Sequence, residues 1–317
     1  MPESTSVVGN HTKAIIYNRV DLVFPHFFAQ WPSRNKNHRI PCTEISVGNC
    51  NFFCSINYTD FGAGDPVILI SGWPLSKEMW EYQMDAIVNN GFRVIAYDRR
   101  GFGHSSKPWG VYDYDTLAND LHELILHLQL KRVTLVGFSM GGGEIVRYFS
   151  KFNGDNISKV VLISAITPYM LKTDTNENGV PQEEFDKMLA AIQTDRMAFL
   201  DEFGKVFFGV DTAVNPISDS SLEFYKLLGG VASPKATKEC AIAFSSTDFR
   251  EEMKSVTVPT LIIHGKLDQT VPILTTSDEA TKLIPTNKYI IYEDAAHGLW
   301  FTHKERLNDD LLHFLKS

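Results

Sequence analysis

Gly137-Phe138-Ser139-Met140-Gly141 fits the G-x-S-x-G spacing that sets a serine on a sharp strand-to-helix turn. A serine hydroxyl is a poor nucleophile at its own pKa, so it needs a base to take its proton and a third group to fix the base's tautomer. On this kind of turn the partners follow in the chain order Ser, Asp, His, each on a loop after a late strand. His264-Gly-Lys-Leu-Asp268 follows one apolar run and Ala295-Ala-His297-Gly298 follows the last. Ser139, Asp268 and His297 are therefore the candidate nucleophile, acid and base of an acyl transfer. Charge that develops on the attacked carbonyl oxygen needs two backbone N–H donors. Met140, the residue after the nucleophile, would give one. Trp73, in the loop Ser71-Gly-Trp-Pro74, is best placed to give the other, because Pro74 has no N–H.

The elements that must position these residues follow from periodicity. Val133-Thr-Leu-Val136 is a short run of the kind buried on both sheet faces, and from Gly142 the spacing turns helical, with Ile145, Val146 and Phe149 on one side. Further buried strands are expected at 67–70, 92–97, 159–164, 258–263 and 288–292. Helices are expected at 77–89, 114–130, 273–283 and 304–315. Strands alternating with helices over short links predict a doubly wound, mostly parallel sheet. The alternation stops between residues 167 and 256, where helical segments at 182–193, 197–206, 220–229 and 234–244 predict an inserted cap. That cap would sit over the strand ends, so some of Phe199, Phe203, Phe207, Phe208, Phe224 and Tyr225 should face the site and the rest should be core. The α/β core would then comprise residues 44–166 and 257–317.

Residues 1–43 stand apart as an extension, with apolar islands at Ala14-Ile-Ile-Tyr17 and Leu22-Val-Phe-Pro-His-Phe-Phe28. They would pack over the domain surface or serve as an arm against a partner subunit of a homo-oligomer. Residues 44–47 and 52–58 read as a β-hairpin turned at Gly48-Asn49.

Composition narrows the function. The 317 residues are 44% hydrophobic and 21% charged, as in a globular protein. A net charge of −8 without a Lys/Arg run argues against a nucleic-acid partner. No apolar stretch is long enough to span a membrane. The first residues lack the basic start and apolar segment of a signal peptide, and Cys42, Cys50, Cys54 and Cys240 are too few and too unevenly spaced for a disulfide framework. The expected setting is cytoplasmic. Three decoys are set aside. His122 and His127 lie five apart and diverge around a helix, so they do not form a zinc pair; no metal site is expected. Gly141-Gly-Gly143 is not followed by the Lys-Ser/Thr of a phosphate loop. Asp98 and Arg99, at a strand end, could serve function, but the favoured reading is a structural turn network.

The motifs Ser71-Gly-Trp-Pro-Leu-Ser76, Tyr97-Asp-Arg-Arg-Gly-Phe-Gly-His-Ser-Ser106, Gly137-Phe-Ser-Met-Gly141, His264-Gly-Lys-Leu-Asp268 and Ala296-His-Gly-Leu299 run in this order from about residue 44 to the C-terminus. The set resembles the cofactor-free (non-heme) haloperoxidase and arylesterase group of the α/β-hydrolases. The resemblance implies the α/β-hydrolase fold and a cofactor-free serine esterase that acts on small esters through an acyl-enzyme. It also implies a perhydrolase side reaction, in which hydrogen peroxide replaces water and the peracid oxidises halide. In such perhydrolases a proline at the position of Pro74 goes with a preference for peroxide, which a loop carbonyl would hold by a hydrogen bond. This chain departs from the pattern in residues 1–43 and at Ser71, where relatives usually carry His. Some relatives are lactamases, so an amidase, a lyase or a carbon–carbon hydrolase on the same triad stays open, as does a non-catalytic binding protein of this fold. Dehalogenases and epoxide hydrolases of the fold use an Asp where this chain has Ser139.

Overall fold

A computed structural model describes residues 54–211 and 217–317, and the backbone of the strands at 38–41, 45–47 and 50–52. The apolar islands of the N-terminal extension and Cys42 lie outside the described residues.

The central element is an eight-stranded sheet. Its strands are β1 (His38–Pro41), β4 (Ser55–Phe61), β5 (Pro66–Ile70), β6 (Arg93–Tyr97), β7 (Val133–Phe138), β8 (Ile157–Ile163), β9 (Thr260–Gly265) and β10 (Asn287–Tyr292). Their spatial order is β1-β4-β6-β5-β7-β8-β9-β10. From β6 to β10 every neighbouring pair is parallel, whereas β1 and β4 join antiparallel at one edge. The sheet thus begins within the stretch read as an extension, with His38 opposite Tyr58 and Pro41 opposite Ser55. Pro41 can sit there because an edge strand has a side that needs no N–H.

The expected hairpin of 44–47 with 52–58 is corrected in its second strand. β2 (Ile45–Val47) pairs with β3 (Cys50–Phe52) as a separate ribbon, and the chain then breaks before β4. Apolar spacing runs on through residues 50–58, so it could not reveal that break. The partner decides it: β4 pairs with β6 from Tyr58 opposite Tyr97 to Phe61 opposite Val94.

Both faces of the sheet are covered, and the strand residues divide by parity. Val67, Leu69, Val94, Ala96, Val136, Phe138, Val161, Ile163, Leu261 and Ile263 belong to one buried cluster, together with Ile87 of α1 (Glu81–Asn89) and Leu307 and Leu311 of α10 (Lys304–Lys316). Ile68, Ile70, Ile95, Leu135, Val160, Leu162 and Ile262 belong to the other. That cluster holds Leu117, Leu121 and Leu124 of α2 (Tyr114–His127), Ile145, Val146 and Phe149 of α3 (Met140–Phe152) and Ala280 of α8 (Ser277–Leu283). This is why the strands read as continuous apolar runs: each alternate side chain meets a helix layer. Among the described residues four α-helices stand between β8 and β9: α4 (Gln182–Thr194), α5 (Arg196–Phe208), α6 (Asp219–Val231) and α7 (Pro234–Ser246). A short α9 (Leu299–Thr302), not expected from the sequence, follows His297. No helix among the described residues is long and apolar enough to cross a membrane.

Ile262 sits fully buried in β9, opposite Leu162 of β8 and Tyr289 of β10. Ile262→Ala should lower unfolding free energy by about 2–5 kcal/mol, measured by urea denaturation, through lost transfer energy and the cavity left behind.

Candidate active site

Ser139 stands alone between the end of β7 and the start of α3, with φ 52° and ψ −118°. A non-glycine residue held on that side of the map stores about 1–3 kcal/mol, so its surroundings must impose it. They do so through the backbone: Ser139 N–H donates to Ile163 O at 2.9 Å, and Ser139 O accepts from Gly142 N–H at 3.0 Å. The flanking glycines are dictated by close approach. A Cβ on Gly141 would lie 2.6 Å from the Ile70 carbonyl oxygen, and one on Gly137 would lie 2.8 Å from the carbonyl of Gly141.

From the serine a hydrogen-bond chain runs inward. His297 Nε2 lies 3.0 Å from Ser139 Oγ, and Nδ1 lies 2.6 Å from Asp268 Oδ2. An ionised carboxylate only accepts, so Nδ1 carries the proton and Nε2 faces the serine hydroxyl as acceptor. Asp268 Oδ1 accepts from the N–H groups of Thr270 at 2.9 Å and Val271 at 2.8 Å. Burial works against the ionised form of Asp268, but the pull of His297 and hydrogen bonds from His264 and His297 outweigh it. They hold the carboxyl well below the usual carboxylate range. The imidazole of His297 has Phe138 on one side, ring centroids 4.8 Å apart, and Phe207 of α5 edge-on at 4.7 Å.

Sequence reasoning missed His264 as part of this relay. It is fully buried, with Nε2 2.9 Å from Val271 O and 3.2 Å from Asp268 Oδ2, and Nδ1 2.7 Å from Ser277 Oγ. A carbonyl only accepts, so the proton sits on Nε2, where Asp268 shares it. The available signal was the spacing of four between the two residues, but a residue at a strand end gives no hint of which way its ring turns. Phe207 was named as a cap aromatic without a role, and it is the one that touches His297.

The loop after β5 lies beside the serine. Trp73 is buried, its ring 5.5 Å from those of Phe203 and Phe244, and its Nε1 donates to Thr237 O of α7 at 2.9 Å. The Trp73–Pro74 peptide is cis. No acceptor among the described residues takes the backbone N–H of Trp73 or of Met140. Together Trp73, Ser139 and His297 line a cavity of about 380 Å³ whose other walls include Ile166, Met170, Phe185, Met188, Phe199, Phe203 and Phe244. Phe208 and Tyr225 are core residues packed against Trp300, and Phe224 is exposed.

Of the decoys, His122 stacks on Phe152 with ring centroids 3.9 Å apart. Asp98 accepts from the N–H groups of Lys77 and His104, both at 2.9 Å, as a turn network does. Glu78, Asp98 and His104 bring three ligand-type atoms within 4.8 Å of one another, but the Lys77 ammonium already bonds Glu78 at 2.8 Å and Asp98 at 2.9 Å.

Residues 65–304 match the family of the alpha/beta hydrolase fold. The chain belongs to the α/β-hydrolases. Within them it is similar to a non-heme chloroperoxidase of Kitasatospora aureofaciens, 40% identical over 83% of this chain and 96% of that protein. A bifunctional esterase/perhydrolase of Acinetobacter calcoaceticus is 37% identical, with 83% and 96% of the two chains covered. The crystal structure of a bromoperoxidase from Bacillus anthracis superposes with a TM-score of 0.84 at 43% identity, over 89% of this chain and 100% of that one. These relatives put this α/β-hydrolase in the non-heme haloperoxidase group.

Asp268→Asn keeps the shape but removes the charge that fixes the His297 tautomer, so kcat should fall by about 3–4 orders of magnitude. The same change should alter acid stability. Because folding lowers the Asp268 pKa, its stabilising contribution is complete above the ordinary carboxylate value of about 3.9 and is lost as pH falls through it toward the folded value. Urea midpoints measured from pH 6 to pH 3 should fall less steeply at the acid end in Asp268→Asn than in the wild type.

Proposed function

We propose that this α/β-hydrolase is a serine esterase for small carboxylic esters, with a perhydrolase side activity that needs no cofactor. The observation that carries this reading is the unbroken chain Ser139 Oγ, His297 Nε2, His297 Nδ1, Asp268 Oδ2, at 3.0 and 2.6 Å, on the wall of an apolar cavity. His297 Nε2 takes the proton as Ser139 Oγ adds to the ester carbonyl, and Asp268 balances the imidazolium that forms. The N–H groups of Trp73 and Met140 receive the oxyanion. On collapse His297 returns the proton to the leaving alcohol, and the acyl group stays on Ser139. Water, deprotonated by the same His297, then cleaves the acyl-enzyme and restores the serine.

Hydrogen peroxide can take the place of water in that last step. The acyl–Oγ bond breaks, the acyl–OOH bond forms, and the product is a peracid, which oxidises halide in solution while being reduced to the carboxylic acid. The similarity to a protein named as a bifunctional esterase/perhydrolase supports this branch. An intact relay and an open cavity favour an enzyme over a non-catalytic binding protein of the same fold.

Ser139→Ala should lose at least about 3 orders of magnitude in turnover of a p-nitrophenyl ester, and an organophosphonate should label the wild type once per chain, at Ser139. Labelling at another residue, or full activity in the variant, would overturn the reading.

Pro74 follows the proposed donor Trp73 and borders a second small cleft with Leu200, Phe203 and Tyr225 of the cap. A loop carbonyl beside it is the proposed acceptor for peroxide, and one such bond of about 1 kcal/mol is worth about fivefold in partitioning. Pro74→Leu should therefore lower the ratio of perhydrolysis to hydrolysis by about that factor and leave ester hydrolysis mostly intact. Both rates are measured on one acyl donor after EDTA treatment; an unchanged ratio would leave Pro74 as a turn residue alone.

A further inference from the structure

Arg99 begins just beyond β6 and joins two elements that carry different parts of the site. Its Nη2 donates to the carbonyl oxygen of Ser71 at 2.7 Å, two residues before Trp73. Its Nε donates to Glu144 Oε1 in the second turn of α3, and Tyr97 Oη donates to the other carboxylate oxygen at 2.7 Å. The Arg99 and Glu144 side chains are 2% and 0% exposed. Thr237 O of α7 accepts from the indole Nε1 of Trp73 at 2.9 Å.

The arrangement has a geometric consequence. The nucleophile and the Met140 N–H travel with α3, while the Trp73 N–H travels with the loop after β5. One guanidinium bonds both. Its planar fork fixes direction as well as distance, and charge-assisted bonds in a buried setting resist displacement.

We propose that Arg99, held by Glu144, is a positioning residue for the oxyanion hole and sets where the Trp73 N–H lies relative to that of Met140. The inference rests on the serine-esterase reading above. Oxyanion contacts strengthen only as charge develops, so misplacing one donor should lower kcat and kcat/KM alike and leave ground-state binding nearly unchanged.

Arg99→Lys tests it, because an ammonium keeps the charge but cannot hold the planar two-point contact with Glu144 and Ser71 O. For a p-nitrophenyl ester, kcat should fall by about tenfold or more with KM within about twofold. Affinity for a trifluoromethyl ketone, which mimics the tetrahedral adduct, should weaken by the same factor. Organophosphonate labelling should still reach one per chain, which counts the folded sites. Glu144→Gln, nearly the same shape, should shift the same quantities in the same direction by less. A folded, fully labelled Arg99→Lys enzyme with wild-type kcat overturns the proposal, as does a loss confined to KM or to melting temperature. If Arg99→Lys does not accumulate as folded protein, Glu144→Gln decides by the same readouts. Wild-type enzyme that fails to label at Ser139 would instead remove the esterase reading, so the two failures are separable.

Discussion

Everything at this site depends on how closely α3 approaches the ends of β5 and β7. The turn holds Ser139 at a positive φ, and the approach is so tight that a single Cβ on Gly141 would strike the backbone of Ile70. The strain has a chemical return. It leaves the hydroxyl at the tip of a central strand, next to the N-terminal N–H groups of a helix whose dipole favours negative charge there. β7 lies between β5 and β8, and each of its six residues is buried, so the strained residue is anchored in a part of the fold that cannot relax locally.

The second constraint is the cost of burying charge. Asp268 and Glu144 are both shielded from water, and each is compensated by several partners. For Asp268 these are two histidines and two backbone N–H groups; for Glu144 they are Arg99 and Tyr97. An unpaired buried carboxylate would take up a proton, and the relay would lose its acid. His264 therefore matters although it is fully buried and does not line the cavity. With Ser277 and Val271 fixing its ring, it presents its Nε2 proton to the carboxylate oxygen that His297 also uses.

Most of this was legible in the sequence because a strand buried on both faces must be apolar throughout, and a serine on a tight turn needs its flanking glycines. Val67 to Ile70 and Val133 to Val136 could be read for that reason, and Asp268 and His297 followed from their places after late strands. The strand β1 could not be read. His38-Arg-Ile-Pro41 has no strong alternation, and its pairing is set by the open edge of β4. Contacts between distant elements were equally hidden. Phe207 meets His297 across 90 residues of sequence and Arg99 meets Glu144 across 45, and no local pattern carries that information.

The helices between β8 and β9 build part of the site's surroundings. Phe207 closes one side of the relay histidine, Thr237 O holds the indole of Trp73, and Phe199, Phe203 and Phe244 wall the cavity. A cavity of about 380 Å³ admits water, whose share of liquid volume is about 30 Å³, and hydrogen peroxide alike. Both are small polar molecules, so apolar walls select neither by size, just as an apolar pocket rejects an added hydroxyl only weakly. Any preference at the acyl-enzyme must then come from the direction of a few hydrogen-bonding groups near the acyl carbon. The loop from Ser71 to Pro74, which Arg99 ties to Glu144 and Thr237 ties to α7, is the proposed source of those groups. On the proposed perhydrolase branch, the choice between water and peroxide becomes a question of backbone orientation rather than of pocket volume.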